Sequence, residues 1–172
     1  DVSKKQQLDS SPFMVVWLKN IDRLLKLLPS DFDHKDYTLL DVGCGSGIST
    51  IYFYKNSQFK NCVGFDFSNK LISSAEKNKK KLIDIGEIEN EKDLNFINCD
   101  ALDFKINQKV CIFMFNPFGC KTVLNFIKNN ISLLKNTHSF LLYANDCCIN
   151  EISDLSKVYK RDSIYNLSIV KF

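Results

Sequence analysis

The residues best suited to chemistry lie in four short stretches. Gly43, Gly45 and Gly47 follow an apolar run over residues 37–42, and Asp41 stands two positions ahead of the first glycine. The run reads as a buried strand that breaks into a turn, and Ile48, Ser49 and Thr50 open a helix straight afterwards. Such a turn lets the backbone approach a ligand closely, and the helix start presents unpaired N–H groups, so the stretch predicts a nucleotide-holding device. Asp66 ends a second run, 61–67, and lies 19 residues beyond Gly47. A carboxylate at that spacing accepts hydrogen bonds from the adjacent hydroxyls of a ribose. Asp100 and Ala101 close a third run over 94–100, with Asp103 as a rival acid. The fourth, 109–115, ends in Asn116-Pro117-Phe118-Gly119, where an amide oxygen and neighbouring carbonyls can accept from an N–H or O–H.

The dinucleotide fingerprint G-x-G-x-x-G needs a third glycine where Ile48 stands. The pattern Asp41-x-Gly43-x-Gly45-x-Gly47 instead resembles motif I of the class I, Rossmann-like S-adenosylmethionine-dependent methyltransferases. The resemblance extends over roughly residues 37–172. It implies a cofactor wrapped by Asp41, Gly43, Cys44, Gly45, Ser46 and Gly47. Asp66 would hold the ribose hydroxyls and Phe67 would lie against the adenine. Asp100 would accept from the adenine amino group while the backbone N–H of Ala101 reaches a ring nitrogen. The Asn116-Pro117-Phe118 loop is similar to motif IV, [D/N]-P-P-[Y/F], of amino-group methyltransferases, with one proline in place of two. Small bacterial members with an N-P-F loop look closer. In that role Asn116 orients the acceptor beside the cofactor's methyl group and Phe118 packs on it. The same four residues are also sound turn chemistry with no ligand at all.

The elements that must position these residues are legible as alternating helices and strands. Ser11 and Pro12 form a helix start. Phe13, Met14, Trp17, Leu18, Ile21, Leu24, Leu25 and Leu28 recur at helical spacing until Pro29, which makes Trp17 a core residue. Residues 9–13 are the candidate cofactor lid. Helices are predicted over 48–55, 68–82, 120–135 and around 150–155. A fifth strand covers 139–144, and two terminal strands, 158–161 and 167–172, follow without a crossover helix. That ending suits the methyltransferase sheet, which inserts its last strand antiparallel between the sixth and fifth; a dehydrogenase ends in another parallel unit. The expected fold is α/β, a doubly wound, mostly parallel seven-stranded sheet with helices on both faces and an antiparallel last strand. One domain spans 1–172, with 1–36 an N-terminal helical lid segment and 37–172 the cofactor-binding core.

Composition narrows the function. The chain has 172 residues, 45% hydrophobic and 25% charged, enough for one full core. Its net charge of +3 rests mainly on Lys, which gives no indication of nucleic acid. Lys77, Lys79, Lys80 and Lys81 read as a solvated helix end. No apolar run is long enough to cross a membrane and the first residues are polar, so a cytoplasmic protein without a signal peptide is expected. The seven cysteines form no C-x-x-C pair and read as reduced thiols, with no disulfide framework and no metal site; Cys147-Cys148 lacks a second pair and a nearby His.

Ligands of an open α/β sheet lie outside the carboxyl ends of its strands. His34 precedes the first strand and His138 starts the fifth, so both belong to the opposite edge and no histidine base is expected. The correct edge has Asn116, the carbonyls of residues 116–118, Tyr143, Asn145 and Asp146. Cys120 lacks a basic partner for covalent catalysis. The sequence therefore predicts an S-adenosylmethionine-dependent methyltransferase whose acceptor is unknown, an amino group of a protein or small molecule being what motif IV implies. The alternative is a non-catalytic methyltransferase-like subunit that binds the cofactor or a partner. Nothing in the sequence bears on oligomeric state.

Overall fold

The apolar runs lie side by side as strands, in an order that brings the candidate residues at the ends of the first four strands to one edge. The computed structural model describes residues 17–88 and 90–172. The elements are α1 (Leu18–Leu27), β1 (Thr38–Val42), α2 (Ile48–Asn56), β2 (Asn61–Asp66), α3 (Asn69–Asp84), β3 (Leu94–Asn98), β4 (Val110–Phe115), α4 (Cys120–Asn136), β5 (Phe140–Ala144), α5 (Ile149–Ser153), β6 (Lys157–Asp162) and β7 (Leu167–Lys171). Single 3-10 turns cover His34–Asp36 and Glu91–Asp93.

The strand order is β3-β2-β1-β4-β5-β7-β6. β1 pairs in parallel with both β2 and β4, Leu40 standing beside Val63 and Ile112. β7 runs antiparallel to both β5 and β6, so six strands share one direction and the last is reversed between the fifth and sixth. This is the sheet the sequence predicts. The chain winds outward from β1 through β2 to β3, then returns to β4, so β1 and β4 flank the point where the winding reverses. In a doubly wound sheet that reversal opens a crevice at the carboxyl ends.

β1 and β5 are buried at every residue and β4 at all but its last, as strands covered on both faces must be. Two apolar clusters result, one on each face. Leu40, Val42, Phe65, Ile112, Met114 and Ile127 belong to one, and Ile21, Leu39, Phe53, Cys111, Phe113 and Leu142 to the other. α1 packs against β5, β7 and α2.

Two expectations need correction. Trp17 is 56% exposed and is no core residue. It stands at the N-cap of α1 in an extended conformation, off the stripe that Ile21 and Leu24 bury. The Arg23 guanidinium lies 5.0 Å from its ring centre and 3.8 Å from that of Tyr165. The Ser11-Pro12 helix start and the lid at residues 9–13 lie outside the described residues. Second, the cysteines are not all free: Cys120 and Cys148 form a disulfide, with Cα atoms 5.4 Å apart across 28 residues of sequence. β4 and β5 are neighbours, and α4 and α5 start just past their carboxyl ends, so the two cysteines meet. Sequence spacing holds no trace of that encounter.

Gly47 shows how tightly the turn is seated. Its φ is +79°, and an added Cβ would lie 2.6 Å from Phe96 Cζ and 2.9 Å from Ala75 Cβ. Gly86 has a similar φ of +73° with no atom within 4 Å of that position. Gly86→Ala should therefore lose only the left-handed penalty, about 1–2 kcal/mol. Gly47→Ala adds overpacking and should lose about 2–5 kcal/mol. Urea denaturation of both variants tests this; equal losses would mean that Phe96 and Ala75 give way freely.

Candidate functional site

The site is built where the glycine turn folds down on the end of β2. The Phe65 carbonyl accepts from the N–H groups of Gly43 (2.9 Å) and Cys44 (3.0 Å). Asp66, the last residue of β2, accepts from the Gly45 N–H at 3.1 Å and the Ser68 N–H at 2.8 Å. Burial raises the pKa of Asp66 against the opposing pull of these two bonds. The Ser46 carbonyl accepts from the Asn78 side chain at 3.0 Å, which fixes the turn to α3. Gly43, Gly45 and Gly47 all have positive φ, the left-handed region that side chains resist.

Asp41 sits beneath the turn. Its Oδ2 accepts from the hydroxyls of Ser49 and Thr50, both at 2.6 Å. Those residues open α2, so one carboxylate ties the strand's end to the helix start across the glycines. Burial outweighs the two hydroxyl bonds and pushes its pKa up to about 6. Cys44 is buried beside it; burial first, then the charges of Asp41 and Asp66, push its thiol far up, which makes it a poor nucleophile.

The Asn116 loop meets this turn directly. A Cβ at Gly43 would fall 2.3 Å from Pro117 Cβ. Asn116 has φ 45°, a left-handed conformation that asparagine tolerates better than most residues. Its Oδ1 accepts from the Cys147 thiol at 3.0 Å. Phe118 is partly buried against the neighbouring core cluster.

The structure thus gathers residues 41–47, Asp66 and the Asn116 loop at one edge. At the end of β3, Asp100 Oδ1 accepts from the Leu102 N–H at 2.9 Å, while Ala101 is buried and Phe67 half-buried. Not every residue offered by the sequence is available there. Tyr143 is wholly buried. Asp146 is 2% exposed and accepts from Arg161 at 2.8 and 3.1 Å and from the Ser168 hydroxyl. His34 lines a groove with Asp22, Lys26 and Asn56 away from the turn, and His138 precedes β5, so both histidines lie at the amino-end side as predicted.

Two residues escaped the sequence reading. Asn98 donates to the carbonyls of Asp66 (3.0 Å) and Phe67 (2.9 Å), pinning the end of β2 from β3. Cys147 holds Asn116. Neither belongs to a spacing pattern; only the pairing of β2 with β3 and of β4 with β5 reveals them.

Comparison with known proteins agrees with this arrangement. The family described as "Methyltransferase domain" matches residues 33–168. No curated protein sequence matches the chain. Among solved structures, an RNA methyltransferase from Salinibacter ruber in complex with S-adenosyl-L-homocysteine superposes with a TM-score of 0.60 at 16% identity, covering 92% of each chain. A ribosomal protein L11 methylase from Lactobacillus delbrueckii subsp. bulgaricus gives 0.58 at 16% identity, covering 90% of this chain and 74% of that one. M. capricolum TrmK in complex with S-adenosyl-homocysteine gives 0.55 at 16% identity, covering 87% and 66%. At such identities the likeness is one of fold.

The buried Asp41 carboxyl makes stability depend on pH in a calculable direction. Its folded pKa of about 6 exceeds the ordinary 3.8, so between these values the folded state holds a proton that the unfolded state has released. Stability from this group is greatest below about pH 3.8, falls as pH rises through the window, and is flat above about pH 6. Asp41→Asn keeps an oxygen for Ser49 and Thr50 and removes the titration. The difference in unfolding free energy between variant and parent should shift in the variant's favour by about 1–3 kcal/mol from pH 4 to pH 6.5. A difference that is constant across that range would show that Asp41 does not titrate there.

Proposed function

The chain belongs to the methyltransferase domain family, and from that we propose that it binds S-adenosylmethionine at the carboxyl ends of β1, β2 and β3 and methylates an acceptor presented to Asn116. The observation that carries this reading is the contact between the glycine turn and the Asn116 loop, where Gly43 and Pro117 leave no room for a Cβ. A cofactor lying in the turn is then next to the residue that orients the acceptor.

The residues fit the cofactor. The three left-handed glycines carry no side chain at alternate positions of the turn, and the Asp66 carboxylate accepts from the Gly45 and Ser68 N–H groups beside it. Asp66 would take the ribose hydroxyls, Phe67 the adenine face, and Asp100 with the Ala101 N–H the adenine edge. Asp41 keeps the turn closed from below. When bound, the cofactor supplies a methyl group already activated on sulfonium, which leaves the protein to hold the acceptor in line and to handle a proton.

Asn116 Oδ1 would accept from the acceptor's N–H or O–H, exchanging its bond with Cys147, while Phe118 packs on the acceptor. Asp146 is engaged by Arg161 and Ser168, and the histidines are at the far edge, so none of these three is placed to take a proton from the acceptor. A neutral amine attacks without prior deprotonation and releases its proton afterwards. The acceptor we favour is therefore an amine. The S. ruber structure is an RNA methyltransferase and the L. delbrueckii one a ribosomal protein L11 methylase, so RNA, protein and small amines all belong in the acceptor screen.

Transfer of tritium from methyl-labelled cofactor to fractionated cell extract tests the function. Labelling that depends on Asp66 supports it; cofactor binding with no labelled product in any fraction would favour a non-catalytic subunit. Asp66→Ala should weaken S-adenosylhomocysteine binding by about tenfold to a hundredfold, since charge-assisted hydrogen bonds to the ribose are lost. An unchanged affinity in calorimetry would place the ribose elsewhere.

Asn116→Gly tests orientation without disturbing the left-handed backbone. Turnover per folded molecule should fall about a hundredfold while S-adenosylhomocysteine affinity changes little. Normal turnover in this variant would reduce Asn116 to a turn residue.

A further inference from the structure

We propose that, once its disulfide is reduced, the chain binds one thiophilic divalent cation, zinc being the natural candidate, through the thiolates of Cys120, Cys147 and Cys148. The three sulfurs lie within 4.8 Å of one another, and among the described residues they are the group of His, Cys, Asp and Glu side chains gathered closely enough to ligate an ion. Cys147 Sγ and Cys148 Sγ are 3.6 Å apart. Tetrahedral zinc with bonds of about 2.3 Å places its sulfurs about 3.8 Å from each other, so this pair already has ligating separation. The adjacent pair alone supplies two ligands; the fold supplies the third by starting α4 at Cys120 beside them. Three thiols form a soft donor set, which selects zinc-group ions over calcium or magnesium.

The surroundings suit a bound ion. Cys147 is exposed and gives it a path in, Cys120 is half-buried, and Cys148 is buried. Asn116 Oδ1, 3.0 Å from Cys147 Sγ, is a neutral oxygen at hand for the fourth position. The Tyr143 hydroxyl lies 3.6 Å from Cys147 Sγ and can donate to the thiolate from outside the ligand set. The disulfide between Cys120 and Cys148 is the ion-free, oxidised alternative. A dithiol reductant converts it to two thiols, delivering two electrons and two protons and itself becoming a disulfide. The cation then displaces the thiol protons as the thiolates bind. This site stands whether or not the chain transfers methyl groups, although an ion that takes Asn116 removes it from the acceptor.

Cadmium serves as the spectroscopic probe, titrated without oxygen into protein that has been reduced with dithiothreitol and desalted. One equivalent per chain should bind and produce the ultraviolet thiolate-to-cadmium charge-transfer band, and zinc should compete for the same equivalent. Cys147→Ser and Cys120→Ser should each abolish the band, while Cys99→Ser, outside the cluster, should retain it. Melting curves without metal confirm that each variant is folded. A second readout needs no variant: one equivalent of zinc should protect Cys120, Cys147 and Cys148 of the reduced parent chain from alkylation, read by peptide mapping. No band from the reduced parent, a band that survives both substitutions, or equal alkylation with and without zinc would each overturn the assignment.

Discussion

The close approach of Pro117 to Gly43 is the constraint on which the rest of this structure depends. With 2.3 Å between Pro117 Cβ and the place a Gly43 Cβ would occupy, the segments that follow β1 and β4 meet closely enough to exclude any side chain at Gly43. A turn of three left-handed glycines is poor at holding itself, since glycine loses more conformational freedom on folding than any other residue. It is held from outside. The Phe65 carbonyl takes two of its N–H groups, Asp66 takes a third, Asn78 takes the Ser46 carbonyl, and Pro117 closes the top. These partners come from three neighbouring segments, the end of β2, α3 and the loop after β4, so the turn has its shape only in the assembled sheet.

Two buried acids beside the turn have diverged into separate roles. Asp41 is held by residues of its own following helix, through the hydroxyls of Ser49 and Thr50 and the Thr50 backbone, and burial raises it to about 6. It works as a clasp between β1 and α2. Asp66 is bound by the backbone N–H groups of Gly45 and Ser68, one to each carboxylate oxygen, at the end of β2. The distinction follows from position: Asp41 is one residue inside the end of a central strand, and Asp66 is the final residue of its strand.

What the sequence made legible was whatever rests on period or on short spacing. Continuous apolar runs gave the strands, the glycine turn gave the entry to α2, and the absence of a helix between residues 158 and 172 gave the reversed last strand. The spacing from Gly47 to Asp66 brought a carboxylate to the turn because β1 and β2 pair in parallel and in register, Val42 beside Phe65. What failed depends on where an element stops or on which distant elements meet. Periodicity names Ile21 and Leu24 correctly but cannot say that α1 begins after Trp17. The Cys120–Cys148 pairing, the bond from Cys147 to Asn116 and the grip of Asn98 on β2 are all contacts between strand ends, invisible until strand order is known.

The inserted last strand also shapes the chemistry of the edge. β7 must close on β5, and β6 on β7, for the sheet to be complete, and Asp146 at the end of β5 secures both: Arg161 comes from β6 and Ser168 from β7. That carboxylate, 2% exposed, is one of the groups the sequence offered at this edge, and the architecture has claimed it. A buried carboxylate stripped of Arg161 would be left uncompensated, which makes its reassignment to catalysis costly. The same feature that distinguishes this sheet from a dehydrogenase sheet therefore commits Asp146 to structure and, among the described residues, leaves Asn116, Tyr143 and Cys147 in contact beside it. In the function proposed above, the acceptor attacks through a free lone pair and sheds its proton later, which asks no base of Asp146.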